Sequence, residues 1–182
     1  MRIEAELAKF DGKDTAVLRQ IAERYTPDAA TVRKLLSLTK GNSVALQTGA
    51  TKLLKWWCER GLRFTKGQSS ELVGLLRKNI PWESRLHVLQ LLLAIDIAKN
   101  QKESLYRILM GNLTHTNKFV RAWAYNGLAV LATQFPEYKT EANQVLEVGM
   151  RDEVAAVKAR IRNVMKASNT TLQPTPQTAR RG

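Results

Sequence analysis

Residues 117–135 read NKFVRAWAYNGLAVLATQF and residues 152–167 read DEVAAVKARIRNVMKA, and these two runs decide the fold. In the first, Val120, Ala124, Leu128 and Leu131 fall at steps of four, four and three, which sets them on one helical stripe. In the second, Val157, Ile161, Val164 and Met165 stand to Lys158 as the first set stands to Arg121. Between them PEYKTEANQVLEVGMRD is another amphipathic run. A single helix pair cannot cover its own apolar side, so recurrence at this spacing marks a stack of helical repeats.

The pattern continues toward the N-terminus. Residues 40–46 read KGNSVAL, 79–85 NIPWESR, 115–121 HTNKFVR and 152–158 DEVAAVK, at separations of 39, 36 and 37 residues. Each copy is followed by the same stripe: Ala45, Gly49 and Leu53; Ser84, Val88 and Leu92; Val120, Ala124 and Leu128; Val157, Ile161 and Met165. Small residues at the first two positions of several copies let neighbouring helices approach closely.

Upstream, Ile3, Leu7 and Phe10 mark a short first helix, and Asp14 is placed to cap a second. Thr26 as N-cap and Pro27 at the first helical position open a third, stopped by Gly41. Ser43 caps a fourth that runs to Gly61. LRFTKGQ (62–68) reads as a loop, with a fifth helix restarting at Ser69 or Ser70. Pro81 and Trp82 open a sixth, and ESRLHVLQLLLAIDIAKN (83–100), apolar nearly all round, belongs in the middle of the stack, covered on both sides. Residues 101–113 form a seventh. The reading is all-α: a right-handed α-α superhelix of about five stacked antiparallel helix pairs, one domain over residues 1–167. Residues 168–182, SNTTLQPTPQTARRG, are expected to be a disordered tail.

With an Asp, Val-Arg five and six residues on, then apolar four-residue steps, the repeat resembles the HEAT repeat, within the wider group of armadillo-like helical solenoids. Asp152, Val157 and Lys158 fit it best. The third copy keeps Val120 and Arg121 with His115 for the Asp. The second keeps Arg85 with Asn79 and Ser84, and the first has Lys40, Ala45 and Leu46. The resemblance covers residues 27–167. It implies a curved solenoid that binds a partner on its concave face, mostly without catalysis. It also implies a structural ladder between repeats from Arg85, Arg121, Asp152 and Lys158.

The net charge of +13 is the compositional outlier, and it is segregated. Residues 29–80 carry ten Lys or Arg against Glu59 and Glu71, and residues 153–182 carry six against Glu153, while the remaining segments nearly balance. Such a field draws polyanions or an acidic protein, or simply solvates exposed helix faces. The candidate partner-binding residues are Lys52, Lys55, Trp57, Arg60, Arg63, Lys66, Arg77 and Lys78. Most lie in KLLKWWCERGLRFTKG, where cations are interleaved with Trp56, Trp57 and Phe64. That mixture suits a nucleic-acid backbone with a base to stack, and equally a tryptophan pair packed into the core and ringed by lysines.

Chemistry finds little purchase. Cys58 is the one cysteine, so neither an intramolecular disulfide nor a thiolate zinc site can form. His87 and His115 have no partner at ligand spacing, the carboxylates make no acid-base pair, and no phosphate-cradling glycine loop occurs. No cofactor and no enzymatic activity are expected. The longest apolar run, Leu86–Ala98, is interrupted by His87, Gln90 and Asp96 and is too short to span a bilayer. The charged start MRIEAELAKF is unlike a signal sequence, so a cytoplasmic monomer is expected. Two functions follow: a scaffold for a protein partner of acidic character, or a nucleic-acid binder. At its extreme the second would be a relative of the HEAT-like alkylpurine DNA glycosylases, though no residue here takes that catalytic role.

Overall fold

The computed structural model describes residues 2–170, with side chains through Ala167. Among the described residues the chain is all-α, without strands. Its helices are α1 (Arg2–Leu7), α2 (Thr15–Arg24), α3 (Ala29–Leu38), α4 (Val44–Glu59), α5 (Lys66–Leu75), α6 (Trp82–Leu91), α7 (Lys102–Asn112), α8 (Lys118–Gln134), α9 (Lys139–Asp152) and α10 (Ala155–Thr170).

The even-numbered helices pack in chain order, α2 on α4, α4 on α6, α6 on α8 and α8 on α10. The odd-numbered helices lie against them: α1 on α2 and α4, α3 on α4, α5 on α6, α7 on α8, and α9 on α8 and α10. The register along the row is nearly constant. Thr48 meets Ser84 and Thr51 meets His87, both 36 residues apart. Gln134 bonds Ile97, 37 residues away, and Arg160 covers Trp123 at the same offset. Even helices therefore run parallel, with their N-termini at one edge, and each odd helix carries the chain back. An offset of 36–37 residues, close to the sequence separations of 36–39, is compatible with a helical repeat.

Burial follows the stripes. Val120, Ala124, Leu128 and Leu131 are at most 1% exposed. A continuous cluster of buried residues runs from Ile3 to Ala142. A smaller one, built on Ala122, Tyr125, Leu146, Val157, Ile161 and Val164, joins α8, α9 and α10. Gly49 is where α1 is seated: a Cβ there would come within 2.7 Å of Leu7 Cδ1.

Four boundaries differ from the sequence reading, each for a local reason. The N-cap of α3 is Asp28, whose carboxylate accepts from Thr31 N–H at 2.7 Å, so Pro27 stays in the connector. Helix α5 starts at Lys66, inside the expected loop, because Thr65 and Gln68 form a reciprocal capping box. The expected long sixth helix ends at Leu91, tightens into a 3-10 turn over Leu92–Ala94, and becomes extended at Ile95. The cause lies on α8: the Gln134 amide accepts from Ile97 N–H at 2.8 Å and donates to Ile95 C=O at 3.0 Å. Those backbone groups are thereby satisfied without a helix. Finally, α10 runs to Thr170, past residue 167; the rest of the expected tail, 171–182, lies outside the described residues.

Candidate functional site

The ladder residues sit at the edge where even helices begin. Arg85 donates to the carbonyls of Leu76 (3.1 Å) and Lys78 (2.9 Å), where α5 has just ended. Arg121 donates to His115 C=O at 2.9 Å, and its Nε and Nη2 grip Glu153 at 2.9 and 3.1 Å. Lys158 Nζ donates to Arg151 C=O at 2.7 Å, in the last turn of α9. Each cation thus closes the end of the preceding helix, where orphan carbonyls and the macrodipole favour positive charge. In the first copy Gln47 Nε2 reaches Gly41 C=O instead. Asp152 is exposed, and the carboxylate that meets Arg121 is its neighbour Glu153. Reading Asp152 from the repeat pattern alone missed this one-position shift.

The remaining candidates do not form one track. Trp57 is buried, 3% exposed, and its indole N–H points at Ala22 C=O (3.4 Å), so it is a core residue closed to any partner. Arg60, Arg63 and Lys66 are exposed where α4 ends and α5 begins. Arg77 and Lys78 are exposed at the far end of α5, a ten-residue helix about 15 Å long. Lys52 and Lys55 lie between, on the open side of α4. The basic segment is therefore distributed over both ends of the helix pair and its face.

A more compact arrangement occupies the open face of α4, α6, α8 and α10. Lys55, Cys58, Glu59, Gln90, Leu91, Leu93, Ala94 and Trp123 line a cleft of about 190 Å³. Leu93 also borders a second cleft of about 170 Å³, whose other walls include Asn126, Val130, Thr133 and Val164. The 3-10 turn presents Leu93 between them, 61% exposed. Sequence reading missed this residue because it took the turn for continuous helix.

Cations lie on and beside this face. Lys52 Nζ stands 5.4 Å from the Trp56 ring centre, Lys55 Nζ pairs with Glu59 at 2.6 Å, and Arg160 stacks 4.0 Å over Trp123. Partial burial, then the neighbouring Lys55 charge, hold the Lys52 ammonium below its usual pKa. Burial likewise pushes the Cys58 thiol up, which makes it a poor nucleophile. Gln90 Oε1 is buried without a donor among the described residues. An orphaned acceptor of this kind costs free energy until something supplies an N–H or O–H.

Beneath the cleft, His87 is 6% exposed, with Nδ1 3.0 Å from the Thr51 hydroxyl. That hydroxyl has one proton and lies 2.9 Å from Gln47 C=O, so His87 Nδ1, the Thr51 hydroxyl and the Gln47 carbonyl are all satisfied when neutral His87 donates from Nδ1 and Thr51 donates to the carbonyl. Burial first, then Lys52 and Lys55, push the imidazole pKa down to about 3. His87 is thus a neutral joint between α4 and α6.

Among the described residues, no three His, Cys, Asp or Glu side chains come together so as to hold a metal ion. No helix there is long and apolar enough to cross a membrane. Comparison with family models, with curated proteins and with solved structures returned no match.

Proposed function

We propose that this chain is a non-catalytic interaction scaffold, a HEAT- or armadillo-like stack of five helix pairs whose even-helix face takes a segment of an acidic protein partner. The observation that carries the reading is Leu93, exposed between two apolar clefts, one of which it shares with Lys55 and with Trp123, whose ring Arg160 covers. An apolar anchor packed among aromatic and cationic side chains is the composition of an interface centre. In this reading a partner side chain enters the cleft beside Trp123, a backbone N–H or hydroxyl answers Gln90 Oε1, and flanking carboxylates meet the cations.

Nucleic-acid binding is the second reading, favoured by the stacking of Arg160 on Trp123 and of Lys52 on Trp56. The division of the other basic residues between the two ends of the helix pair weighs against a continuous phosphate track. One experiment separates the readings. Peptides are selected by display on the wild-type protein, with counter-selection on Leu93→Asp, and anisotropy is measured in parallel with single-stranded and duplex oligonucleotides at 50 and 200 mM salt. Acidic peptides with an apolar centre that ignore the variant support the scaffold. Oligonucleotide affinity that falls steeply with salt, with no Leu93-dependent peptide, would replace it with the second reading.

A further inference from the structure

Six large apolar side chains are exposed among the described residues, and four of them stand at the start of successive even helices. Val44 is the first residue of α4 and Trp82 the first of α6; Phe119 is the second of α8, and Val154 immediately precedes α10. Their exposures are 63%, 40%, 50% and 49%. Lying within one residue of the start of four successive even helices, these apolar side chains make a pattern rather than a scatter. Because the even helices pack parallel and in order, these side chains form a line along one edge, distinct from the face that carries Leu93. Between the first two, Val44, Gln47, Asn79, Pro81 and Trp82 help to line a cleft of about 500 Å³.

The same edge receives the ends of the odd helices, and their charges flank the line. Arg77, Lys78, Lys118 and Arg151 are exposed there, against Glu83 and Asp152, since Glu153 is held by Arg121. Lys118 Nζ lies 5.5 Å from the centre of the Phe119 ring. The edge is therefore apolar along its middle and net positive beside it.

Spacing selects the occupant. Packed helices lie about 8–10 Å apart, so the apolar side chains recur at about that interval over some 24–30 Å. Seven residues of an α-helix advance about 10.5 Å and return to nearly the same face. In an extended strand three residues cover about 10 Å, but successive contacts would then alternate between opposite faces. We propose that this edge is a docking ledge for an acidic amphipathic helix of about 22 residues, carried by a partner protein, with apolar side chains one heptad apart.

The probe is a labelled peptide of that length with leucines one heptad apart and glutamate and alanine elsewhere. Its control has the same composition with the leucines five residues apart. Expected by anisotropy are binding of the heptad peptide, a gain of its helicity by circular dichroism, and affinity weaker by about tenfold or more for the control. A Trp82→Ser/Phe119→Ser variant should lose about tenfold or more while keeping the wild-type circular dichroism and a cooperative melt, because these two side chains, 40% and 50% exposed, stand at helix starts outside the buried core. Lys55→Ser/Leu93→Asp should bind the heptad peptide unchanged, which keeps this surface distinct from the proposed face. Equal binding of the two peptides, indifference to Trp82 and Phe119, or no binding at low salt would each overturn the ledge. So would sedimentation showing self-association that Trp82→Ser/Phe119→Ser abolishes, because a second copy would then be the occupant.

Discussion

The joint between α4 and α6 and the joint between α8 and α10 occupy equivalent places in the row and are made from different chemistry. At the first, Thr48, Ser84, Thr51 and His87 form buried neutral contacts above a deep apolar cluster. At the second, Arg121 grips Glu153 in two bonds, Arg160 covers Trp123, and the apolar cluster beneath is small. Neighbouring helices must be held together, and at the second joint a charged clasp accompanies the smaller apolar cluster. The clearest repeat motif in the sequence therefore lies where the core is thinnest.

The largest expected effect tests that difference in depth. Leu89→Ala, at a fully buried position of α6, should cost about 2–5 kcal/mol and lower the single melting transition of the whole chain. Ile161→Ala removes a similar side chain from the small cluster, and hydrogen exchange should show α9 and α10 loosening first while α4 and α6 keep their protection. Uniform loss of protection in both variants would mean that the two regions fold as one unit and that the contrast is empty.

Next comes the clasp. Arg121→Met leaves the Glu153 carboxylate, 12% exposed, without its cation and should cost about 2–3 kcal/mol, whereas Thr51→Val at the neutral joint should cost about 1 kcal/mol. Chemical denaturation of both variants measures the difference. Equal costs would show that charge adds nothing here.

Acidity sharpens the comparison from the other side. His87 is neutral in the fold, with a pKa near 3, against an ordinary value of 6.5. As pH falls below 6.5 the unfolded chain takes up a proton that the folded chain refuses. Stability should drop by about 1.4 kcal/mol per pH unit, before the carboxylates of Glu4, Glu6 and Glu137, themselves held low, begin to contribute. His87→Gln should remove most of the fall in melting temperature between pH 6.5 and 4.5, leaving the share of His115, which burial and then the Arg85 and Arg121 charges also hold below its ordinary pKa; a slope unchanged by the substitution would place its origin elsewhere.

The smallest effect belongs to one of a pair of glycines. Gly149→Ala would drive its Cβ to 2.6 Å from the Tyr125 ring and 2.7 Å from Ile161, and should destabilise the α8–α9–α10 junction by about 1–3 kcal/mol. Gly74→Ala in α5 meets nothing within 4 Å and should stabilise by about 0.5–1 kcal/mol through helix propensity alone. Opposite signs in thermal melts are the expected outcome.

Much of the fold was legible because helical periodicity is written in residue type: Val120 through Leu131 could hardly pack otherwise. What escaped was written across distance. Nothing near Ile95 announces that Gln134, 39 residues on, will receive its carbonyl, so the end of α6 and the exposure of Leu93 were both missed. The place of Trp57 was left open for a related reason, since KWWCER does not say which tryptophan turns toward Ala22. The basic surplus was plain, but its division between the ends of a helix pair depends on where α5 begins, and that rested on the Thr65–Gln68 box.

The hydrogen bonds of the Gln134 amide would not both survive its hydrolysis to a carboxylate. The amide is exposed, and its two halves do opposite work, one accepting from Ile97 N–H and the other donating to Ile95 C=O. Deamidation would exchange the donor for an oxygen and bring two lone-pair-bearing atoms together at Ile95. Stored samples that gain the mass of that conversion at Gln134 would lose the anchor that holds Leu93 out, and with it the face on which a partner was read.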